Sequence, residues 1–256
     1  MGKIIAVANQ KGGVGKTTSC ICLTAALRRT GKSVLLVDFD PQGNATSGMG
    51  VSKRSRPNAY EVVMGKASAE SAVIRLEYGD LLPSNSDLSG AEVQLVNMER
   101  REYRLKEALE PIRNRYDYIF IDCPPSLGLL PLNAFTAADE LLVPLQCEYY
   151  AMEGIADLTT TLKMTNKRLN PELKIGGILL TMYDSRVNFS EQVAEELRGY
   201  FGETVYKSVI PRNVRLAEAP SHGRPISEYD RHSKGAKAYM KAAEEFLSRQ
   251  EKNHGK

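Results

Sequence analysis

Three observations predict a doubly wound α/β fold, a mostly parallel sheet flanked by helices on both faces. Short aliphatic runs recur along almost the whole chain: Ile4–Ala8, Val34–Asp38, Tyr118–Asp122, Leu141–Leu145, Ile178–Met182 and Val205–Ile210. Stretches of helical period separate them, among them Thr17–Arg29, Arg104–Arg115, Met152–Leu169 and Ser190–Tyr200. The runs are apolar on both faces, which suits parallel strands covered by helices on either side. Of the 256 residues, 42% are hydrophobic and 25% charged, the balance of an ordinary globule with enough chain for one large core.

The elements follow in order. Ile4–Ala8 reads as the first strand, Gln10–Gly15 as a glycine-rich loop, and Lys16 onward as a helix. Val34–Asp38 is the second strand. The segment Val51–Arg101, with Pro57, Pro83 and several Ser and Asn residues, reads as loops and short helices at one edge. Strands and helices then alternate to the end. The last helix, Gly235–Arg249, carries Ala236, Tyr239, Met240, Ala243, Phe246 and Leu247 on one stripe, which suits core packing. Residues 1–249 are expected to form one domain and residues 250–256 a polar tail.

The net charge is only +3, so any basic surface must be local. Cys20, Cys22, Cys123 and Cys147 form no C-x-x-C pair and read as small buried residues of a reducing compartment. The apolar runs are strand-sized, far short of a membrane span, and the first residues carry no signal-peptide core.

The stretch NQKGGVGKTTSC, residues 9–20, carries the chemistry. Strand, glycine loop and helix start are what a phosphate cradle needs, because successive backbone N–H groups and the helix terminus point at anionic oxygens. Gly12, Gly13 and Gly15 allow the tight turn around Val14. Lys16 would reach the β- and γ-phosphates, the Thr17 hydroxyl would ligate Mg²⁺, and Thr18 would add an α-phosphate contact. The loop departs from G-x-x-x-x-G-K-[ST]: Gln10 stands where a glycine is usual, and Lys11 adds a second lysine. Asp38 and Asp40 lie at the end of the second strand and Asp122 after YDYIFI, where ligands sit in open α/β sheets. Each suits a metal or water site, and each also suits a helix cap.

KGGVGKTT, VDFDPQGNATSG, IDCPPSLG, CEYYAMEG and IPRNVRLAEAPSHGRPI resemble, in this order, the ParA/Soj chromosome-partitioning ATPases, over about residues 3–247. These belong to the P-loop ATPases with a deviant Walker A motif, as do the MinD proteins. The resemblance implies ATP, ADP after hydrolysis, and Mg²⁺. It implies that Lys11 crosses a dimer interface to phosphates bound by a second copy, that Asp40 positions the attacking water with Asp38 near the metal, and that Asp122 is the Walker B aspartate. Pro211 and Asn213 match positions that hold adenine. The catalytic set is then Lys11, Lys16 and Asp40.

The resemblance further implies an ATP-dependent homodimer, non-specific double-stranded DNA, a ParB/Spo0J-type partner that stimulates slow hydrolysis, and a cytoplasmic, nucleoid-associated location without a membrane. Between residues 205 and 241 lie eight basic and three acidic residues, a local excess of five. Arg186, Arg215, Arg224, Lys234 and Lys237 are the candidate DNA contacts; the plain alternative is a solvated basic face. No zinc finger or helix-turn-helix is present, so DNA binding would be phosphate-driven. A membrane-cycling MinD-like ATPase is the alternative function, and the acidic Glu244 and Glu245 on the last helix speak against it.

Overall fold

The computed structural model describes residues 2–126, 128–148 and 151–254. Its elements are β1 (Lys3–Val7), α1 (Lys16–Arg29), β2 (Val34–Asp38), α2 (Asn44–Gly48), α3 (Ala59–Val63), α4 (Ala69–Ala72), β3 (Asp80–Leu82), α5 (Leu88–Leu95) and α6 (Arg104–Arg113). They continue as β4 (Tyr118–Asp122), α7 (Leu129–Ala137), β5 (Glu140–Gln146), α8 (Ala151–Arg168), β6 (Lys174–Tyr183) and α9 (Asn188–Phe201). The last are β7 (Val205–Pro211), α10 (Val214–Glu218), α11 (Ile226–Tyr229) and α12 (Lys234–His254). The seven strands form one sheet in the order β3-β2-β4-β1-β5-β6-β7, every named pairing parallel.

The period of two along each strand divides its side chains between two cores. Ile4 and Ala6 of β1, with Leu35 and Val37 of β2, enter the larger core under α3–α9. Ile5, Val7, Val34 and Leu36 enter the other, under α1 and α12. Burial on both faces explains why β2, VLLVD, contains no polar residue before its final Asp38. Because β1 lies between β4 and β5, the crevice at the strand C-termini opens where β1 hands over to α1.

The structure departs from the sequence expectations at three places. The irregular segment contains a seventh strand, β3, with three residues paired to β2 at the sheet edge. β6 begins earlier than expected because Gly176 and Gly177, poor strand formers, are there for space. A Cβ on Gly176 would stand 2.5 Å from Glu140 Oε2, and one on Gly177 2.2 Å from the Tyr206 ring.

The tail boundary at 249/250 also moves. α12 continues to His254, and Gln250 is buried, donating from Nε2 to Glu140 Oε2 at 3.2 Å while accepting from Lys3 Nζ. A polar residue expected in solvent is thus held by a buried carboxylate at the opposite end of the sheet from the glycine loop. Gly255 and Lys256 lie outside the described residues.

Candidate functional site

The glycine loop connects β1 to α1 at the crevice. Gly13 and Gly15 have φ of 75° and 88°, left-handed values that favour glycine. Gly15 is the N-cap of α1, and no side chain caps the helix, so its first amides are left for a ligand. Val14 is buried and its carbonyl accepts from Thr181 Oγ1 at 2.8 Å, which ties the cradle to β6. Lys16 is 7% exposed, with Nζ donating to the Lys11 carbonyl at 3.0 Å. Burial pulls the Lys16 pKa below its usual value, while Asp122 and Asp40 pull it back up. Thr17 and Thr18 occupy the first turn behind it.

The three strand-end aspartates differ in environment. Asp38 is fully buried and its carboxylate is engaged: Oδ2 accepts from Thr46 N at 2.7 Å and Thr46 Oγ1 at 2.6 Å, and Oδ1 from Asp40 N at 3.3 Å. It braces the loop that carries Asp40. Asp40 accepts from Gln42 N at 2.9 Å, and its carbonyl accepts from Ser84 Oγ at 3.0 Å. Asp122 is fully buried, and its Oδ2 has no hydrogen-bond partner among the described residues. No group of three His, Cys, Asp or Glu side chains among the described residues forms a metal cage. A buried orphan carboxylate oxygen near a threonine hydroxyl instead fits Mg²⁺, which takes few protein oxygens and keeps waters and phosphate for the rest.

Burial first, and then the charge of Asp38, push the Asp122 carboxyl up to about 8, against the Thr17 hydroxyl and Lys16. Burial likewise raises Asp38 to about 6, against its bonds from Thr46. A folded-state pKa raised above the unfolded one stabilises the fold when the group is protonated, and this contribution is lost as pH rises from about 4 to about 8. Asp122→Asn is therefore expected to melt higher than the wild type at pH ~8 without nucleotide, the difference shrinking by pH ~5. One pKa unit corresponds to about 1.4 kcal/mol, and each kcal/mol to about 2–4 °C in Tm at this chain length. Melting curves across that pH range check it.

Lys11 stands outside the cradle that Lys16 fills. Its side chain is 42% exposed and pairs with Glu148, two residues beyond β5, while its amide donates to Asn9 Oδ1 at 2.9 Å. Asn9 in turn donates from Nδ2 to the Pro144 carbonyl at 2.8 Å. Gly12 is exposed, and a Cβ built on it meets nothing within 4 Å. Of CEYYAMEG, Tyr149 and Tyr150 lie outside the described residues, as does Leu127 of IDCPPSLG. Pro211 ends β7, and the Asn213 side chain caps α10 by accepting from Arg215 N at 2.9 Å.

Two of the candidate basic residues, Arg186 and Arg215, lie at the β6–β7 edge, whereas Arg224 follows Gly223, which packs against Gly50 and Tyr78 on the β2 side. Arg186 follows β6, and the Tyr183–Pro211 pairing with Arg212 N donating to Tyr183 O (3.2 Å) sets that loop beside the start of α10. Arg186 is 87% exposed and forks onto Asp184, holding that carboxyl down at about 2. Arg215 pairs with Glu218 at 2.9 Å and lies 3.7 Å from Asp230. Arg224, Lys234 and Lys237 are exposed and make no ion pair among the described residues. Sequence reasoning missed Thr46, Ser84, Glu148 and Thr181, whose contacts cross between loops and strands far apart in the chain.

A parallel sheet with a phosphate cradle at its crevice defines a P-loop ATPase, and solved structures carry the same arrangement. A Mycobacterium smegmatis protein described as cobyrinic acid a,c-diamide synthase, with bound ADP and magnesium, is 40% identical with a TM-score of 0.86, covering 98% of this chain and 96% of that one. The Pyrococcus furiosus cell division ATPase MinD is 29% identical with a TM-score of 0.81, covering 97% and 99%. A family model described as an AAA domain matches residues 2–175. The Bacillus subtilis sporulation initiation inhibitor protein Soj is 53% identical over 97% of this chain and 99% of its own length. The Myxococcus xanthus chromosome partitioning protein ParA is 51% identical over 97% and 89%. The chain belongs to the ParA/Soj family of chromosome-partitioning ATPases.

Proposed function

We propose that this chain is a cytoplasmic, nucleoid-associated switch in which Mg-ATP joins two copies face to face and the joined pair holds DNA without sequence preference. Slow hydrolysis, stimulated by a ParB/Spo0J-type partner, resets it. The observation that carries this reading is the position of Lys11, a cation at the mouth of a cradle whose own lysine is already in place.

The loop amides after Gly12, with Lys16, bind and neutralise the phosphates, Thr18 adds a contact, and Pro211 and Asn213 border the adenine. Thr17 and Asp122 would hold Mg²⁺, with Asp38 bracing Asp40 beside them. Bound there, the ion would neutralise charge on the β- and γ-phosphate oxygens. Asp40 orients a water whose oxygen bonds to the γ-phosphorus as the bond to the β–γ bridging oxygen breaks, leaving ADP and phosphate. Lys11 supplies charge to the phosphates of the second copy in the manner of an arginine finger. To do so it must leave Glu148. That exposed pair contributes no more than about 1 kcal/mol, whereas charge-assisted hydrogen bonds contribute about 1.5–3 kcal/mol. Phosphate therefore wins.

A MinD-like membrane cycle would need a free apolar face on the last helix. Instead Ala236, Tyr239, Ala242, Ala243 and Phe246 are buried in the core. More residues are shared with the partitioning relatives, at 49–53%, than with the Mycobacterium smegmatis synthase at 40%.

DNA binding and size-exclusion behaviour with ADP and with ATP test the switch, and a nucleotide-independent result on both counts would remove it. The arginine loop carries its own expected outcome. Replacing Arg186 and Arg215 by Ala should weaken retention on DNA. It should also flatten the log–log salt dependence by about 0.9 for each phosphate that is no longer neutralised. Unchanged slopes would remove these two residues from the interface.

A further inference from the structure

We propose that Cys20 is a positioning residue for Asp122: its thiol holds one carboxylate oxygen so that the other is presented to Mg²⁺. Cys20 lies one turn after Thr17 on α1, so both side chains project from the same face of the helix toward the end of β4. Its Sγ donates to Asp122 Oδ1 at 3.6 Å, and both residues are 0% exposed. Oδ2 of the same carboxylate is the buried orphan. One oxygen is thereby tethered, while the other, without a hydrogen-bond partner in a carboxylate that also feels the Thr17 hydroxyl, is left for the metal.

An ionised carboxylate oxygen offers no hydrogen, so in this pair the thiol is the donor. Among the described residues the thiol makes no other hydrogen bond. This cysteine thus differs from Cys123, whose thiol faces the Ile121 carbonyl at 3.7 Å, and from Cys22, which shares the second core but has the Ile226 backbone and no aspartate beside its thiol. Partners that orient a metal ligand commonly change metal affinity about 10–100-fold when removed. A thiol is a weak donor, so the expected effect lies at or just below the lower end of that range.

The inference rests on Asp122 facing the metal, and the experiment separates the two. Binding of a fluorescent ATP analogue is titrated with Mg²⁺ and, separately, measured in EDTA, for the wild type, Cys20→Ala, Cys20→Ser and Asp122→Asn. Cys20→Ala is expected to raise the Mg²⁺ half-saturation by about 3–10-fold with affinity in EDTA unchanged. Cys20→Ser, which keeps a donor, should stay near the wild type. If melting shows that the alanine variant has not folded, Cys20→Val fills the site without a donor and is read the same way. An unchanged half-saturation in the donor-free variant, or a serine variant equally impaired, overturns the proposal. If Asp122→Asn also leaves the half-saturation unchanged, the placement of the metal fails first.

Discussion

Asp40→Ala is expected to reduce ATP hydrolysis by about 10²–10⁴-fold, the usual contribution of a positioned acid–base or water-orienting group, while ATP-dependent dimers persist. The structure gives the reason for the split. Asp40 makes no hydrogen bond to the glycine loop; its oxygen accepts from Gln42 N, and its carbonyl is held by Ser84. The phosphate cradle rests on other residues, Gly13, Gly15, Val14 with Thr181, and Lys16. Removing the Asp40 carboxylate would thus take away the proposed partner of the attacking water without unmaking the cradle. Asp40→Asn keeps an oxygen for Gln42 N, so it separates loop order from chemistry: it too should fail to hydrolyse ATP. Steady-state phosphate release and size exclusion with ATP measure the two halves. Lost nucleotide binding in either variant would remove Asp40 from the water-positioning role.

Gly12→Val should abolish the ATP-dependent dimer and leave ATP binding by the single chain in place. In the isolated chain a Cβ at Gly12 meets open space, and its φ lies outside the left-handed range, unlike that of Gly13 at 75°. Folding and the cradle therefore tolerate valine at 12. The proposed interface would not, because Gly12 stands next to Lys11 on the face that a second copy is proposed to cover. Gly13→Val is the contrast: it forces a branched side chain into a left-handed conformation and should impair nucleotide binding itself. Size exclusion with ATP, paired with a direct binding measurement, reads both. A Gly12→Val chain that dimerises normally would end the face-to-face arrangement.

Much of this site was legible in the chain because its pieces are local. A strand, three glycines and Lys16-Thr17 occupy one stretch, and their chemistry follows from backbone geometry that any reader of sequence can reconstruct. The alternation of apolar runs with helical periods led to the parallel sheet by the same local logic. Edge strand β3 has no signal in the sequence because three residues between Gly79 and Pro83 are too few to carry a period. The start of β6 has none because Gly176 and Gly177 answer to neighbours, Glu140 and Tyr206, that are remote in sequence. Gln250 has none because a glutamine near a terminus is ordinarily solvated, and only a buried carboxylate at hydrogen-bond distance makes it otherwise.

The stretch NQKGGVGKTTSC alone determined that the protein has a phosphate cradle and carries one lysine more than such a cradle needs. Tertiary structure decided how differently the three strand-end aspartates are engaged. Asp38 and Asp122 both end apolar strands and are adjacent in register, yet Thr46 occupies the first, whereas the second keeps one oxygen free. It also decided that Lys11 pairs with Glu148, just beyond the end of β5. Backbone conformation is written in nearby residues. The partner of a side chain is set by where the sheet brings distant segments together, and no local pattern encodes that.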